Sequence, residues 1–329
     1  MTDSIARITA VWDYTPREAQ FLEMAALHSG YFLRRQYMRF AHAGSGGAVD
    51  RFTRKVLSHG HARVSRSCTK TRLFHICAKR LYGALGEEDN RNRRPREPFT
   101  IRQKLMAFDF VLEHGSAQFF PTERARVNLF SSRGIPSDAM PSRFYTGPNG
   151  DRTKRSFVDK QPIFLAPHSG DIVHFAYIDE GVLSTAGFET WLAHYTPLFR
   201  ALQAFVVVYV AGSPAFFGRA RQRFDAAFGA RLFAAETRAG ARLAEYFRDR
   251  RSVELRDFGA LGRAGMDRFR SAHQELDSAA TSVLYRRWLV EGDAALETAS
   301  APAPNAEFRT FTLSYDYDLF GTASGALAS

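Results

Sequence analysis

The chain has 329 residues, 45 % of them hydrophobic with 29 Phe, so it is long enough for two or three domains and apolar enough to bury real cores, which excludes wholesale disorder. Its net charge is +11, and all of that excess lies between Arg51 and Lys104, where fifteen Lys and Arg meet only Glu87, Glu88, Asp89 and Glu97. Two cysteines exclude a disulfide framework, the opening MTDSIARITAVWDY is no secretory signal, and the longest apolar run, Phe205–Ala211, is too short to span a bilayer, so a soluble cytoplasmic protein without a membrane partner is expected.

In chain order, Thr15-Pro16-Arg17-Glu18 opens a helix: a Thr cap, Pro at the first helical position and Glu three residues after the cap. Phe21, Leu22, Ala25 and Leu27 give it an apolar face, and Ser29-Gly30 ends it. A second helix is predicted from Leu33 to Phe40 and a third from Ala48 to Ser58. On the third, Val49, Phe52, Val56 and Leu57 face inward, and Arg51, Arg54 and Lys55 face outward. Two β-like runs follow, Ala62–Cys68 and Arg72–Cys77, joined by a polar turn. Three short helices and a hairpin are the order of a winged helix-turn-helix, which places the third helix in the major groove and the hairpin on the backbone or minor groove. Arg51, Arg54, Lys55, Arg63, Arg66, Lys70 and Arg72 are then the candidate DNA-binding residues, because Lys and Arg release condensed counterions when they meet phosphates. The same scaffold also serves protein contacts, and a solvated basic loop around Arg91–Arg96 is the alternative reading of the charge.

Zinc is not expected here. His59, His61, Cys68, His75 and Cys77 lie close in sequence, yet neither a CxxC nor an HxxxH pair occurs, and His75 and Cys77 share a strand face by alternation alone. Lys79–Leu85 reads as a closing helix, and Gly86–Pro98 as a charged boundary loop.

Beyond it, Ile101–Glu113 and Pro121–Phe130 are amphipathic, with Glu123 in the first turn of the latter. Arg155–Val158 and Ile163–Ala166 read as a hairpin, Ile172–Asp179 and Phe205–Ala211 as further strands, and Phe188–Leu202 and Pro214–Phe228 as helices. The alternation argues for an α/β fold with a mixed sheet and helices packed on it, α+β overall. Residues 229–296 are helix-rich, and Phe308–Tyr317 alternates as a strand.

The opening Thr15–Glu18, FLRRQY (Phe32–Tyr37), VDRFTRKVLSHG (Val49–Gly60), FAYIDEG (Phe175–Gly181), Thr185 and LAHY (Leu192–Tyr195) occur in the order seen in the replication-relaxation family of plasmids and other mobile elements. The chain resembles that family over residues 14–228. The resemblance implies a winged helix DNA-binding domain with a basic linker over 1–98, a PD-(D/E)xK nuclease-like domain over 99–228, and a helical extension with C-terminal tail over 229–329. It also implies where catalytic carboxylates fall: Glu123, Asp159 and Asp179, the last two as ligands of a Mg²⁺ that activates water. The pattern departs from the family at Tyr177, where an acid is usual, at Trp191, where a Lys is usual, and at Pro162, which follows Asp159 instead of preceding it.

The expectation is therefore a DNA-binding accessory protein of a mobile element, acting in replication, transfer or recombination, whose nuclease-like part is non-catalytic and needs no cofactor. Its partners would be double-stranded DNA and a relaxase, replication protein or recombinase, with a homo-oligomer open. The alternatives are a Mg²⁺-dependent endonuclease or nickase, and a winged-helix transcriptional regulator. Asp179-Glu180-Gly181 is equally a strand-ending turn that needs no chemistry.

Overall fold

Thr15 accepts a hydrogen bond from Glu18 N at 3.3 Å while the Glu18 carboxylate accepts from Thr15 N at 2.8 Å, so the capping box predicted for the first long helix is formed reciprocally. The computed structural model describes residues 3–42, 46–66, 71–147, 149–167, 169–181, 184–228, 230–277, 279–297, 305–315 and 317. The chain is a mixed α+β protein that divides into two units, one of residues 1–220 with 307–329 and one of residues 221–306.

The larger unit begins with α1 (Asp3–Val11), α2 (Pro16–His28), β1 (Tyr31–Leu33), α3 (Arg34–Ala41), α4 (Gly46–Ser58), β2 (Ala62–Arg66), β3 (Arg72–Ile76) and α5 (Lys79–Ala84). The strands form an antiparallel sheet in the order β1-β3-β2, with Arg63 opposite His75 and Arg66 opposite Arg72. Phe21, Phe32, Tyr37, Phe52 and Phe74 fill the core between helices and sheet; Tyr37 stacks on Phe52 with centroids 3.8 Å apart, and Phe32 on Phe74 at 4.8 Å. Neither α1 nor β1 was predicted, and β1 occupies the residues just ahead of the second helix.

α6 (Pro98–Glu113) joins this part to the next, because it is buried from two sides. Phe108 packs into the core just described, while Leu105, Met106 and Phe110 enter a second core with Tyr31, Leu33, Leu73, Phe164, Ala176, Ile178 and Val208. Residues 1–98 and 99–220 thus share one unit.

β4 (Gln118–Phe119), α7 (Glu123–Ser131), β5 (Ser142–Thr146), β6 (Arg152–Ser156), β7 (Ile163–Leu165), β8 (Val173–Asp179), α8 (Ala186–Ala201) and β9 (Ala204–Ala211) follow. β9 is buried along nearly its whole length, which is why it reads as an unbroken apolar run. β10 (Asn305–Thr312) completes a five-stranded sheet in the order β10-β9-β8-β7-β4. The sheet is mixed: β4, β7 and β8 pair antiparallel, and β8 and β9, joined through α8, pair parallel in the register Asp179 to Ala211. The predicted hairpin of Arg155–Val158 with Ile163–Ala166 is not formed. β6 pairs instead with β5, a two-stranded ribbon of mostly exposed residues, and β7 pairs with β4 and β8.

α9 (Phe217–Phe228) spans the division between units. In the smaller unit, α10 (Ala230–Glu254), α11 (Phe258–Leu276), α12 (Ala279–Glu291) and α13 (Ala294–Glu297) enclose a core of Tyr246, Phe247, Tyr285 and Trp288. Asp249 is nearly buried there and accepts two hydrogen bonds from Arg268, at 2.8 and 2.9 Å. Among the described residues, no helix is long and apolar enough to cross a membrane.

Candidate nucleic-acid face and an interior basic cleft

α4 presents Arg51 and Arg54 to solvent, because Val49, Phe52, Thr53 and Val56 take the buried face at helical spacing. Arg63 and Arg72 are exposed on the β2–β3 hairpin. Arg34 forms an ion pair with Asp50, and the charges of Arg54 and Arg72 join it in holding the Asp50 carboxyl below its usual range. Arg54 of α4 and Arg72 of β3 therefore both lie near enough to Asp50 for their charges to act on it. Lys55 is placed differently. Its ammonium donates to Asp13 O at 2.7 Å and to Glu18 Oε2 at 3.0 Å, so it ties α4 to the start of α2. Arg66 closes the β2–β3 ladder opposite Arg72, and Lys70 lies outside the described residues.

The three histidines considered for zinc each have a hydrogen-bond partner, and Cys77 is a free thiol. His59 bonds Asp13 at 2.7 Å, His61 bonds the Tyr14 hydroxyl at 2.9 Å, and His75 stacks on Tyr31 while bonding Asn92 O at 3.1 Å. Cys68 lies outside the described residues. His61 is fully buried, and burial followed by the charge of Arg80 lowers its imidazole from the ordinary 6.5 to about 4. Between those values the unfolded chain holds a proton that the folded chain does not, so the stability this site contributes is present above pH 6.5 and falls as the pH drops. Between pH 7 and pH 5 this site should account for about 1–2 kcal/mol of the stability lost in urea unfolding, with His28, also lowered by burial, adding its own share, and His61→Phe should make the pH dependence shallower by the His61 share. A variant with the same slope as the native chain would put the acid sensitivity elsewhere.

The three candidate catalytic acids occupy different settings. Glu123 accepts from Arg155 Nε at 2.7 Å and from Ser156 N at 2.7 Å, which fastens α7 to β6. Asp159 is exposed on one side; its Oδ1 accepts from Gln161 N at 3.0 Å and from the Tyr195 hydroxyl at 3.1 Å. Asp179 is buried at the end of β8, where Oδ2 accepts from the Tyr209 hydroxyl at 2.6 Å and Oδ1 from Gly181 N at 3.1 Å. That is the strand-ending turn, with Gly181 at φ 83°. Tyr177 stands near Asp159, Asp179 and Glu180: burial, then the charges of Glu180, Asp179 and Asp159, pushes its hydroxyl above the ordinary range. Among the described residues, no three His, Cys, Asp or Glu side chains come together to hold a metal.

What the structure does assemble is cationic. A cavity of about 200 Å³ is lined by Arg91, Asn92, Arg96, Lys104, Asp159 and Lys160, with His28 and Gln161 at its wall. A second cavity, about 400 Å³, shares Arg91, Val158 and Lys160 with it and adds Arg126, Phe157, Glu123 and the acids Glu87, Glu88 and Asp89. Asn92 is fully buried and organises the smaller one. Its amide nitrogen donates to Ala26 O at 2.8 Å and Leu27 O at 3.0 Å, at the end of α2, which turns its oxygen toward the two lysines. Lys104 donates to that oxygen at 2.7 Å; Lys160 donates to Asn90 Oδ1 at 2.7 Å and reaches Asn92 Oδ1 at 3.4 Å. Arg91 and Arg96 lie in the charged segment Gly86–Pro98, whose sequence reads as a boundary loop and carries no local signal of this site.

Comparison with family models, with curated proteins and with solved structures finds no match to this chain.

Proposed function

We propose that this chain is a DNA-binding accessory protein of a plasmid or integrative mobile element, acting in replication, transfer or recombination. The reading rests on one observation above the rest. The succession α2–β1–α3–α4–β2–β3, with its sheet ordered β1-β3-β2, carries exposed Arg51 and Arg54 on α4 together with exposed Arg63 and Arg72 on the hairpin. That arrangement suits a winged helix whose α4 enters the major groove of duplex DNA while the hairpin lies along the backbone. The mixed sheet from β4 to β10 suits the nuclease-like domain implied by the resemblance to the replication-relaxation family. A non-catalytic role for it is favoured because Glu123 is engaged by Arg155 and Asp179 by Tyr209 and Gly181. Metal-assisted hydrolysis needs carboxylates that converge on an ion. The domain would then add DNA contacts or receive a relaxase, replication protein or recombinase.

Fluorescence anisotropy on a labelled duplex across a salt series tests the reading. The native chain should bind with a steep negative dependence on salt, and the pair Arg51→Ala, Arg54→Ala should reduce the slope by about 2, near 0.9 for each lost phosphate contact. Lys55→Ala should leave that slope unchanged, since its ammonium is taken by Asp13 and Glu18. No salt-sensitive binding at low ionic strength would sink the proposal. Nicking of supercoiled DNA with Mg²⁺ but not with EDTA, lost in Asp179→Ala, would transfer it to the nuclease alternative.

A further inference from the structure

We infer that the cavity between Arg91, Arg96, Lys104 and Lys160 is a binding site for a phosphomonoester dianion, presented either by the phosphorylated end of a nucleic-acid strand or by a free nucleotide. The inference stands apart from the winged-helix reading, since none of its residues belongs to α4 or the β2–β3 hairpin.

The argument begins with charge. Four cationic side chains from three separate stretches line a space of about 200 Å³: Arg91 and Arg96 from the loop before α6, Lys104 from α6, and Lys160 from the turn before β7. Lys104 and Lys160 both approach the single oxygen of Asn92, at 2.7 and 3.4 Å, so the two ammonium groups are near neighbours. Their hydrogen bonds go to neutral amide oxygens, and among the described residues neither lysine forms an ion pair with a carboxylate. Clustered like charges in a partly buried space cost free energy, and an unpaired buried cation costs more. A fold keeps such a cluster where a counter-charge is supplied from outside.

The groups around the lysines are of both signs, with the positive ones in excess. Asp159 is the carboxylate in the smaller cavity; burial raises its carboxyl above the ordinary range, and the cation that acts on it most is Arg126, with Gln161 N and the Tyr195 hydroxyl donating to Oδ1. His28 stays neutral, lowered to about 3 by burial and then by Arg126. Arg126 adds a further positive charge from α7, and Glu87 in the adjoining cavity is the acid that acts against it on Lys160. Burial and these neighbours lower Lys160 to about 8, and burial, then Lys160 and Arg96, lower Lys104 well below its ordinary value. Arg96 Nε is buried without a partner. Arg91 is held in place by stacking over Tyr145, 4.5 Å from the ring centroid, with a hydrogen bond to its hydroxyl at 3.2 Å.

Geometry selects the ligand. A carboxylate brings one negative charge and two oxygens, whereas a phosphomonoester brings close to two charges and three terminal oxygens, matched to two ammoniums and the guanidiniums. The small chamber admits one phosphoryl group. The larger chamber, which shares Arg91, Val158 and Lys160 with it and carries Phe157, has the volume for an attached sugar and base.

Isothermal titration calorimetry on the full chain with inorganic phosphate at pH 8, in two buffers of different ionisation enthalpy, is the direct test. Binding should be accompanied by net proton uptake, because a dianion restores protons to lysines that have lost part of theirs. Lys104→Met should weaken phosphate binding at least tenfold while leaving the thermal midpoint equal or higher, since it removes a repelling charge. If that variant does not fold, Lys160→Gln, in a turn outside any helix or strand, should show the same loss. A blunt duplex with 5′-phosphates binding tenfold tighter than its unphosphorylated twin identifies a strand end as the source. Equal duplexes with measurable binding of deoxyadenosine monophosphate identify a free nucleotide. Absence of heat with phosphate and with the mononucleotide, together with equal binding of the two duplexes, overturns the inference, as does phosphate binding undiminished in both lysine variants.

Discussion

Replacing Asp109 by Ala should lower the stability of the larger unit by about 3–5 kcal/mol, the cost of removing one partner of a buried ion pair. Asp109 is completely buried in the middle of α6. Both of its oxygens are used: Arg35 donates to each at 2.7 Å, and the Tyr317 hydroxyl donates to Oδ2 at 2.6 Å. Burial, followed by the Asp109 charge, raises the Tyr317 hydroxyl above its ordinary range, so it remains a donor at any physiological pH. The three side chains come from α3, α6 and the segment after β10, so one carboxylate joins the N-terminal helices, the helix common to both cores and the far end of the chain. Truncation leaves a partly buried guanidinium and a buried hydroxyl without an acceptor. Asp109→Asn, which keeps one acceptor and the shape, should lose less. Urea unfolding of both variants decides the matter: a loss within about 0.5 kcal/mol for Asp109→Ala would show that water replaces the carboxylate at no cost.

Asp109 also marks the boundary of what could be read in advance. A lone acid inside Leu105–Leu112 conflicts with the apolar pattern, and that conflict is the signal of a buried partner, although nothing local says the partner is Arg35. Elements with strong local determinants were legible. The capping box starts α2, the periodicity of Val49, Phe52 and Val56 orients α4, and the unbroken apolar run 205–211 marks a strand covered on both faces. β1 was not, because Tyr31–Leu33 is too short to show a period and exists by pairing with Leu73–His75. β6 was misassigned because its exposed residues carry no burial pattern, and its true partner β5 lies across a polar turn. Charge followed the same division. The excess between Arg51 and Lys104 was visible, but its destination was not: Arg51, Arg54, Arg63 and Arg72 face solvent, whereas Arg91, Arg96 and Lys104 line the cleft. Composition reports how many charges a segment holds, and only the tertiary path reports which of them the fold turns toward its interior. For the same reason Lys160, distant in sequence from that segment, could not be assigned to the site.

Gly30→Val should cost about 2–4 kcal/mol and should disturb the cleft with it, for two reasons that can be separated. Gly30 has φ 79°, a conformation that a β-branched side chain resists strongly. It also carries the close approach of the loop that bears Asn92: a Cβ at Gly30 would lie 2.5 Å from Asn92 O and 2.8 Å from Asn92 Cβ. The neighbouring contacts give this backbone little freedom to move, since Gly30 N donates to Ala25 O at 2.7 Å and Gly30 O accepts from Ile76 N at 2.8 Å. Relief must therefore come from the Asn92 side, which pulls its amide away from Ala26 O and its oxygen away from Lys104. Gly60 provides the control. It has φ 64° with nothing within 4 Å of its would-be Cβ, so Gly60→Val meets the conformational term without the clash. Thermal unfolding should rank Gly30→Val well below Gly60→Val, and only the former should change the titration of Lys160, followed by NMR of the lysine side chain. Equal losses at the two sites would mean that the loop yields freely at Asn92, and that the amide does not fix the spacing of the two lysines.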